Sequence, residues 1–434
     1  MLMDIRFVYH NTHLQGLEAF ESQDPHLRRL KESAHIHVPG LLSQLPTLMP
    51  GIYTLGGGRQ IGKTTLLKQW MHQLLKEKIT KPENILFLTG EVINDYKELL
   101  NIFEALLSPV TKYLIIDEVS YIAGWDRAIK FSADAGIFEN KIVVLTGSDL
   151  TFIKEARMTF PGRRGRADVV DFHLYPLSFM EYLDLLDVDL ENNTELNRSF
   201  ESYLLHGGYM TAINDIAKHQ KILPATLLTY SDWIRGDFLK RSKQEHYLQE
   251  ILSAIIKSYG SQISWHSLSR HLSVQHPQTV AEYVQLLETM DAVFIQHALL
   301  EDKLSAAPKK AKKIIFTDPF IYHAVSSWID KKYNCEEYLT NSILQSQLVE
   351  ACVVSHVRRK YKTFYIKAEG EVDIAYIDEN KFWPIEVKWT NQLREQELRQ
   401  IMKYPQGKIW NKSDKEFELR GLRVSPLLRE LMKF

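Results

Sequence analysis

The 434-residue sequence predicts an α/β architecture of several domains, and three observations carry that expectation. Short β-branched runs alternate with longer amphipathic stretches between residues 52 and 174, the pattern of βαβ units around a parallel sheet. A glycine-rich turn, Gly57 to Thr64, falls between the first of these runs and a helical segment. The chain is also too long for one compact core, which calls for two or three domains.

Bulk composition narrows the class. At 45% hydrophobic and 25% charged residues, global disorder is excluded. With 53 basic and 54 acidic residues the net charge is −1, so any nucleic-acid contact has to come from local patches. Cys335 and Cys352 are the two cysteines; they offer no disulfide framework or metal cluster and suit a reducing, cytoplasmic setting. The start MLMDIRF lacks the pattern of a secretory signal. No apolar run approaches the ~20 residues that span a bilayer, so no membrane partner is expected. The 16 histidines are scattered without metal-ligand spacing.

Taken in order, residues 1–45 read as an arm with a basic helical stretch, His26 to Lys31. Strands are expected at Ile52–Leu55, Ile85–Leu88, Tyr113–Ile116, Ile142–Thr146 and Val169–Leu174 within a core of residues 46–175. Residues 176–242 read as helical with a break at Gly207–Gly208. Residues 243–320 give three helical segments and two strands. Residues 321–434 begin with a helix, Ile343 to Arg359, then strands at Thr363–Ile366, Val372–Ile377 and Trp383–Val387, and close on a helix-rich tail.

Gly57-Gly58-Arg59-Gln60-Ile61-Gly62-Lys63-Thr64 fits G-x-x-x-x-G-K-[ST] without a mismatch, between a strand and a helix starting at Thr65. Such a loop folds tightly enough for its N–H groups to face phosphate oxygens beside the positive end of the helix. The implied ligands are ATP and Mg²⁺: Lys63 reaches the β- and γ-phosphates and Thr64 offers its hydroxyl to the metal. Four apolar residues then end in Asp117-Glu118. Asp117 is expected to orient Mg²⁺ or its waters, and Glu118 to polarise the attacking water. After the fourth strand, Thr146-Gly147-Ser148 supplies a polar contact for the γ-phosphate, with Ser148 preferred and Thr146 second. Arg163, Arg164 and Arg166 in Pro161–Arg166 read either as a solvated basic loop or as a source of a transition-state arginine. In the second case Arg163 and Arg166 are preferred, and a homo-oligomer follows.

The succession GGRQIGKTTLL, YLIIDEV, Trp125 to Lys130, VVLTGSD, GRR and Leu174-Tyr-Pro-Leu-Ser-Phe179 resembles a prokaryotic group of AAA+ superfamily ATPases. That group carries a winged-helix segment and a C-terminal domain of the PD-(D/E)XK nuclease type. The resemblance runs over about residues 25 to 410. It implies a parallel sheet in the order 5-1-4-3-2, a helical lid over residues 176–242, and a winged helix over 243–320.

In the winged-helix segment the third helix offers Gln278, Thr279, Glu282, Tyr283 and Gln285, none of them cationic. Lys309, Lys310, Lys312 and Lys313 give the wing its charge, either for DNA phosphates or merely solvated. In the last segment Asp373 and Glu386-Val-Lys388 fit the metal-dependent nuclease spacing Asp-x12-Glu-x-Lys. Glu386 and Lys388 share a strand face, and Asp373 on a paired strand reaches the same place. With Glu350 they match the four positions that the resemblance implies for a second, Mg²⁺-dependent site. Arg358, Arg359 and Lys360 add charge that suits a phosphate backbone or a helix end. Whether that module cleaves nucleic acid or serves as an inert contact module stays open.

Overall fold

A computed structural model of the chain describes residues 4–147, 149–270, 272–274 and 276–434, and every side chain among them except that of Tyr338. Residues 1–175 and 176–434 form two compact units.

The first unit is built on five parallel strands: β1 Gly51–Gly56, β2 Ile85–Thr89, β3 Tyr113–Asp117, β4 Ile142–Thr146 and β5 Asp171–His173. Their order is β2-β3-β4-β1-β5, the expected 5-1-4-3-2 read from the other edge. β2, β3 and β4 are buried on both faces, which is why they read as unbroken apolar runs. Side chains alternate between two cores. Leu86, Leu88, Leu114, Ile116, Val143 and Leu145 fill one, and Ile85, Phe87, Tyr113, Ile115, Ile142 and Val144 fill the other.

The arm preceding β1 covers the β2 edge. Asn11 donates to the Phe87 carbonyl at 2.8 Å and accepts from the Phe87 N–H at 2.9 Å, standing in for a missing strand. His13 adds a contact to the Ile85 carbonyl. Lys68, fully buried on the helix Lys63–Lys76, is held by Asp24 at 3.2 Å, by the His10 carbonyl at 2.6 Å, and over the Phe87 ring.

In the second unit, helices Phe179–Leu185, Asn193–His206, Met210–His219 and Pro224–Lys240 come first. The break at Gly207–Gly208 is enforced by packing: a Cβ on Gly208 would lie 2.3 Å or less from the Leu177 backbone, and the Gly208 N–H is held by Asp318 at 2.9 Å. Three further helices follow, Glu245–Lys257, Trp265–Ser269 and Pro277–Thr289, and then β6 Val293–His297, β7 Leu299–Leu300, β8 Ser305–Ala306 and β9 Lys312–Phe316. β6 and β9 pair antiparallel, and Ile263 bridges to Lys312 on the outer side of β9.

Helix Ser342–Val357 leads into six strands, β10 Lys362–Lys367, β11 Glu371–Asp378, β12 Lys381–Lys388, β13 Lys408–Asn411, β14 Phe417–Leu419 and β15 Leu422–Pro426. Their order is β10-β11-β12-β13-β15-β14. The tail is therefore largely stranded rather than helix-rich. Its strands are three to five residues long, too short for a periodicity to register, and β13 is fixed by parallel pairing to β12. Pro384 sits in β12 one residue before the β13 pairing begins at Ile385, so no ladder bond to β13 is lost there. Among the described residues no helix is long and apolar enough to cross a membrane.

Candidate functional site

The C-terminal ends of β1, β3 and β4 converge, the place where parallel sheets of this kind hold ligands. β1 runs into Gly57, where no side chain fits: its φ is 144°, and a Cβ there would lie 2.6 Å from the Leu174 carbonyl oxygen. Gly62 at φ 104° then starts the helix Lys63–Lys76. Gly58, Arg59, Gln60 and Ile61 complete the loop. Gln60 has a positive φ of 59°, and Arg59 donates to the Tyr121 hydroxyl. Thr65, on the first turn of the helix, lies 3.2 Å from His26 Nδ1 of the arm.

Lys63 is 4% exposed, and its ammonium donates to the Gly57 and Gly58 carbonyls at 3.0 Å each. It stands 3.7 Å from Glu118 Oε1. Burial pulls its pKa down, opposed by the charges of Glu118 and Asp117.

The carboxylate side is ordered by hydroxyls. Thr64 donates to Asp117 Oδ2 at 2.6 Å, and Thr146 donates to Asp117 Oδ1 at 2.5 Å. The same Thr146 oxygen accepts the Glu118 N–H at 2.8 Å. Glu118 has a left-handed backbone, φ 54° and ψ 46°, unusual outside glycine. Gly90 makes room for it, since a Cβ there would lie 2.4 Å from the Glu118 carbonyl oxygen. Thr64 and Asp117 form an all-oxygen donor set, the kind that Mg²⁺ takes. Thr146 thus acts on both acidic residues from a fully buried position; Ser148, the preferred polar contact, lies outside the described residues.

The arginines divide. Arg164 is 8% exposed and structural: it binds the Ile52 and Val170 carbonyls and pairs with Asp171 at 2.6 Å, tying β1 to β5. Arg163 pairs with Asp134, and Arg166 is exposed.

In the second unit the four expected residues are brought together with two more. β11 and β12 pair antiparallel with Ile374 opposite Ile385, which sets Asp373 beside Glu386; Asp373 Oδ2 accepts the Val387 N–H at 2.8 Å. Lys388 lies 2.8 Å from Glu386. Glu350, Glu371 and Asp373 each present an oxygen within 4.8 Å of the others. Glu371 is absent from the expected set, although its i, i+2 relation to Asp373 on one strand face was the available signal.

Lys313 of β9 reaches into that group. Its ammonium is 2.7 Å from Glu350, in contact with Glu371 and 3.9 Å from Asp373, and the residue is 1% exposed. Burial works to lower its pKa, but the three carboxylates raise it overall. Burial pushes Glu350 up to about 7 and Glu386 up to about 8, the latter aided by Asp373.

The wing expectation is corrected accordingly. Lys312 is 5% exposed and lies over the Trp265 ring, so of the four lysines Lys309 and Lys310 are the exposed pair, and Lys310 donates to the Lys367 carbonyl. Arg358 and Lys360 are likewise engaged: Arg358 lies over the Phe294 ring, and Lys360 donates to the Lys433 carbonyl. The third helix buries Tyr283 and exposes Gln278, Glu282 and Gln285.

Residues 50–183 match a family model described as AAA domain. Residues 197–332 match one described as Domain of unknown function (DUF8612). An uncharacterized protein of Haemophilus influenzae is 25% identical over 254 residues, 55% of this chain and 60% of that protein, so the match spans less than two thirds of it. An uncharacterized protein of Methanocaldococcus jannaschii is 24% identical over 359 residues, 78% of this chain and 74% of that protein. Among solved structures, the Aeropyrum pernix ORC1 protein in complex with DNA is 13% identical, covering 73% of this chain and 96% of that one at a TM-score of 0.33. Thermotoga maritima RuvB is 16% identical, covering 65% and 93% at 0.29. The family match over residues 50–183 and the sheet order support an AAA-type P-loop ATPase fold for that part of the chain.

Proposed function

We propose that the chain binds ATP with Mg²⁺ at the Gly57–Thr64 loop and hydrolyses it. The observation that carries this reading is the linked set Thr64, Asp117, Thr146 and Glu118 at the strand ends, with the Lys63 ammonium 3.7 Å from Glu118. Lys63 exchanges the two loop carbonyls for the β- and γ-phosphates when nucleotide enters. Thr64 and Asp117 would hold Mg²⁺, which would supply charge neutralisation for the phosphates. Glu118 takes the proton of the attacking water, and its backbone is fixed for that task by Thr146. Ser148 is the γ-phosphate contact of this scheme. Arg163 or Arg166 of a neighbouring copy neutralises transition-state charge, which makes the working form a homo-oligomer; Arg163 must leave Asp134 to act.

The test is a pair of variants. Lys63→Ala loses ATP binding. Glu118→Gln keeps binding and loses turnover by roughly 10²–10⁴-fold, the range of general-base catalysis. Parental turnover in Glu118→Gln sinks the base assignment.

For the second unit, the order of elements from 245 to 316 supports a winged helix, and β10–β13 with the helix Ser342–Val357 support a PD-(D/E)XK-like module. Of the two uses for that module, one observation favours the inert one: the Lys313 ammonium already sits among the carboxylates. The protein is then a nucleotide-dependent switch whose C-terminal module contacts DNA or protein. Incubation with plasmid and single-stranded DNA, with Mg²⁺ or Mn²⁺, with and without ATP, decides the matter. Cleavage that disappears in Asp373→Ala or Lys388→Ala restores the nuclease.

A further inference from the structure

We infer that Lys313 is the resident cation of the Glu350–Glu371–Asp373 cluster, and that its ammonium and a divalent metal ion occupy the cluster in mutual exclusion. The inference rests on reading the module as inert and gives the physical reason for it.

Three carboxylates from two elements repel one another, and a cation among them relieves that repulsion. The charge here is an amino group carried on β9, one residue from the Lys312–Ile263 bridge. A metal with hard-oxygen preference would need the same oxygens, and the ammonium already occupies the space between them.

A second feature beside the cluster is an acceptor that Lys313 leaves unserved. Glu386 is 4% exposed, and its Oε2 is buried with no hydrogen-bond partner among the described residues. It lies close enough to Asp373 and Glu350 to feel the charge of both. A buried acceptor is rarely left without a donor. Lys388 serves the other oxygen of Glu386 at 2.8 Å, while Lys313 pairs with Glu350, Glu371 and Asp373.

The lysine is not a loose arm. Gln296, paired with Lys313 across β6 and β9, donates to the Phe364 and Asp373 carbonyls at 3.1 and 2.9 Å. Tyr365 donates from its hydroxyl to the Ala311 carbonyl at 2.5 Å, and Ala298 bridges to Tyr365. The hairpin is thereby fixed on β10 and β11, and the ammonium is delivered with it.

The experiment titrates Mn²⁺ into metal-free, full-length protein and follows the loss of its free electron-paramagnetic signal. The parental chain is expected to bind no Mn²⁺ at the cluster below about 1 mM, weaker than ordinary dedicated sites. Lys313→Met is expected to bind one ion at least ~100-fold more tightly, because no buried ion pair has to be broken first. Lys313→Arg keeps a cation and stays silent. The gained site disappears when Asp373→Asn is added. Parental binding that Asp373→Asn removes overturns mutual exclusion, and a folded Lys313→Met without Mn²⁺ binding overturns the cluster as a metal site. Should Lys313→Met not fold when metal-free, refolding with Mn²⁺ but not with K⁺ supports the inference, and failure with Mn²⁺ overturns it. ATP turnover on the same samples is independent, so its absence counts against the P-loop reading alone.

Discussion

Replacing Thr146 with valine tests whether the hydroxyl at the end of β4 positions the chemistry or merely fills the core. Valine keeps the shape and removes one oxygen from a fully buried position. That oxygen donates to the Asp117 carboxylate at 2.5 Å and accepts the Glu118 N–H at 2.8 Å. A hydrogen bond to a charged group contributes about 1.5–3 kcal/mol, and an N–H left without an acceptor costs about 1–3 kcal/mol. Glu118 is partly open to solvent, with its side chain 19% exposed, so water recovers some of the second loss. A net destabilisation of about 2–4 kcal/mol follows. The catalytic effect is separable. A left-handed backbone at Glu118 costs roughly 1–2 kcal/mol, and Thr146 holds it there. Without that anchor the residue relaxes, and a displacement of about 1 Å lowers turnover roughly 10²-fold. Fluorescent-nucleotide titration should show affinity changed little, while phosphate release falls; Thr146→Ser, which keeps the oxygen, should restore most of the rate. Thr146→Val turning over within about threefold of the parent while folded would refute the positioning role.

Gly90→Ala places a methyl 2.4 Å from the Glu118 carbonyl oxygen, so it should slow phosphate release while nucleotide still binds, read by the same two assays. Asn11→Ala strips both backbone partners from Phe87 on the β2 edge and should lower stability by about 2–4 kcal/mol in urea unfolding. Glu386, pushed up to about 8 by burial, keeps its proton in the folded state where the unfolded chain has released it. Its contribution is therefore present below the ordinary carboxylate range and is lost as pH rises from about 4.5 to about 8, by at most ~1.4 kcal/mol per pH unit. Melting temperature measured across that range should fall less steeply in Glu386→Gln than in the parent.

The first unit was legible because its determinants are local. The loop lies within eight consecutive residues, Asp117 and Glu118 follow directly on their strand, and strands buried on both faces announce themselves as apolar runs. Long-range pairings stayed hidden. Asn11 reads as an ordinary polar residue until the Phe87 backbone, 76 positions away, is set against it. Lys312 and Lys313 sit in a basic cluster that looks solvated, because nothing nearby in sequence shows the Trp265 ring or the carboxylates 37 or more positions on. Glu371 fell outside a spacing pattern that begins at Asp373. The strands of the tail were missed because a four-residue segment such as Lys408–Asn411 is specified by its neighbour β12 rather than by its own periodicity.

The chain's two acidic sites show what a motif leaves undetermined. Asp117 is held by two hydroxyls, which are neutral and can turn toward an incoming ion. The Lys63 ammonium nearby is bound to loop carbonyls that a phosphate can replace. In the proposed function, a metal–nucleotide complex entering such a site would relieve an electrostatic deficit. Around Glu350, Glu371 and Asp373 part of the deficit is already offset by Lys313, on a hairpin fixed by several further bonds, so a metal gains only the difference between its own attraction and that of the amine. The same residue types, read from sequence as two metal sites, are thus poised in opposite ways. The distinction lies in whether the group that satisfies the carboxylates carries charge.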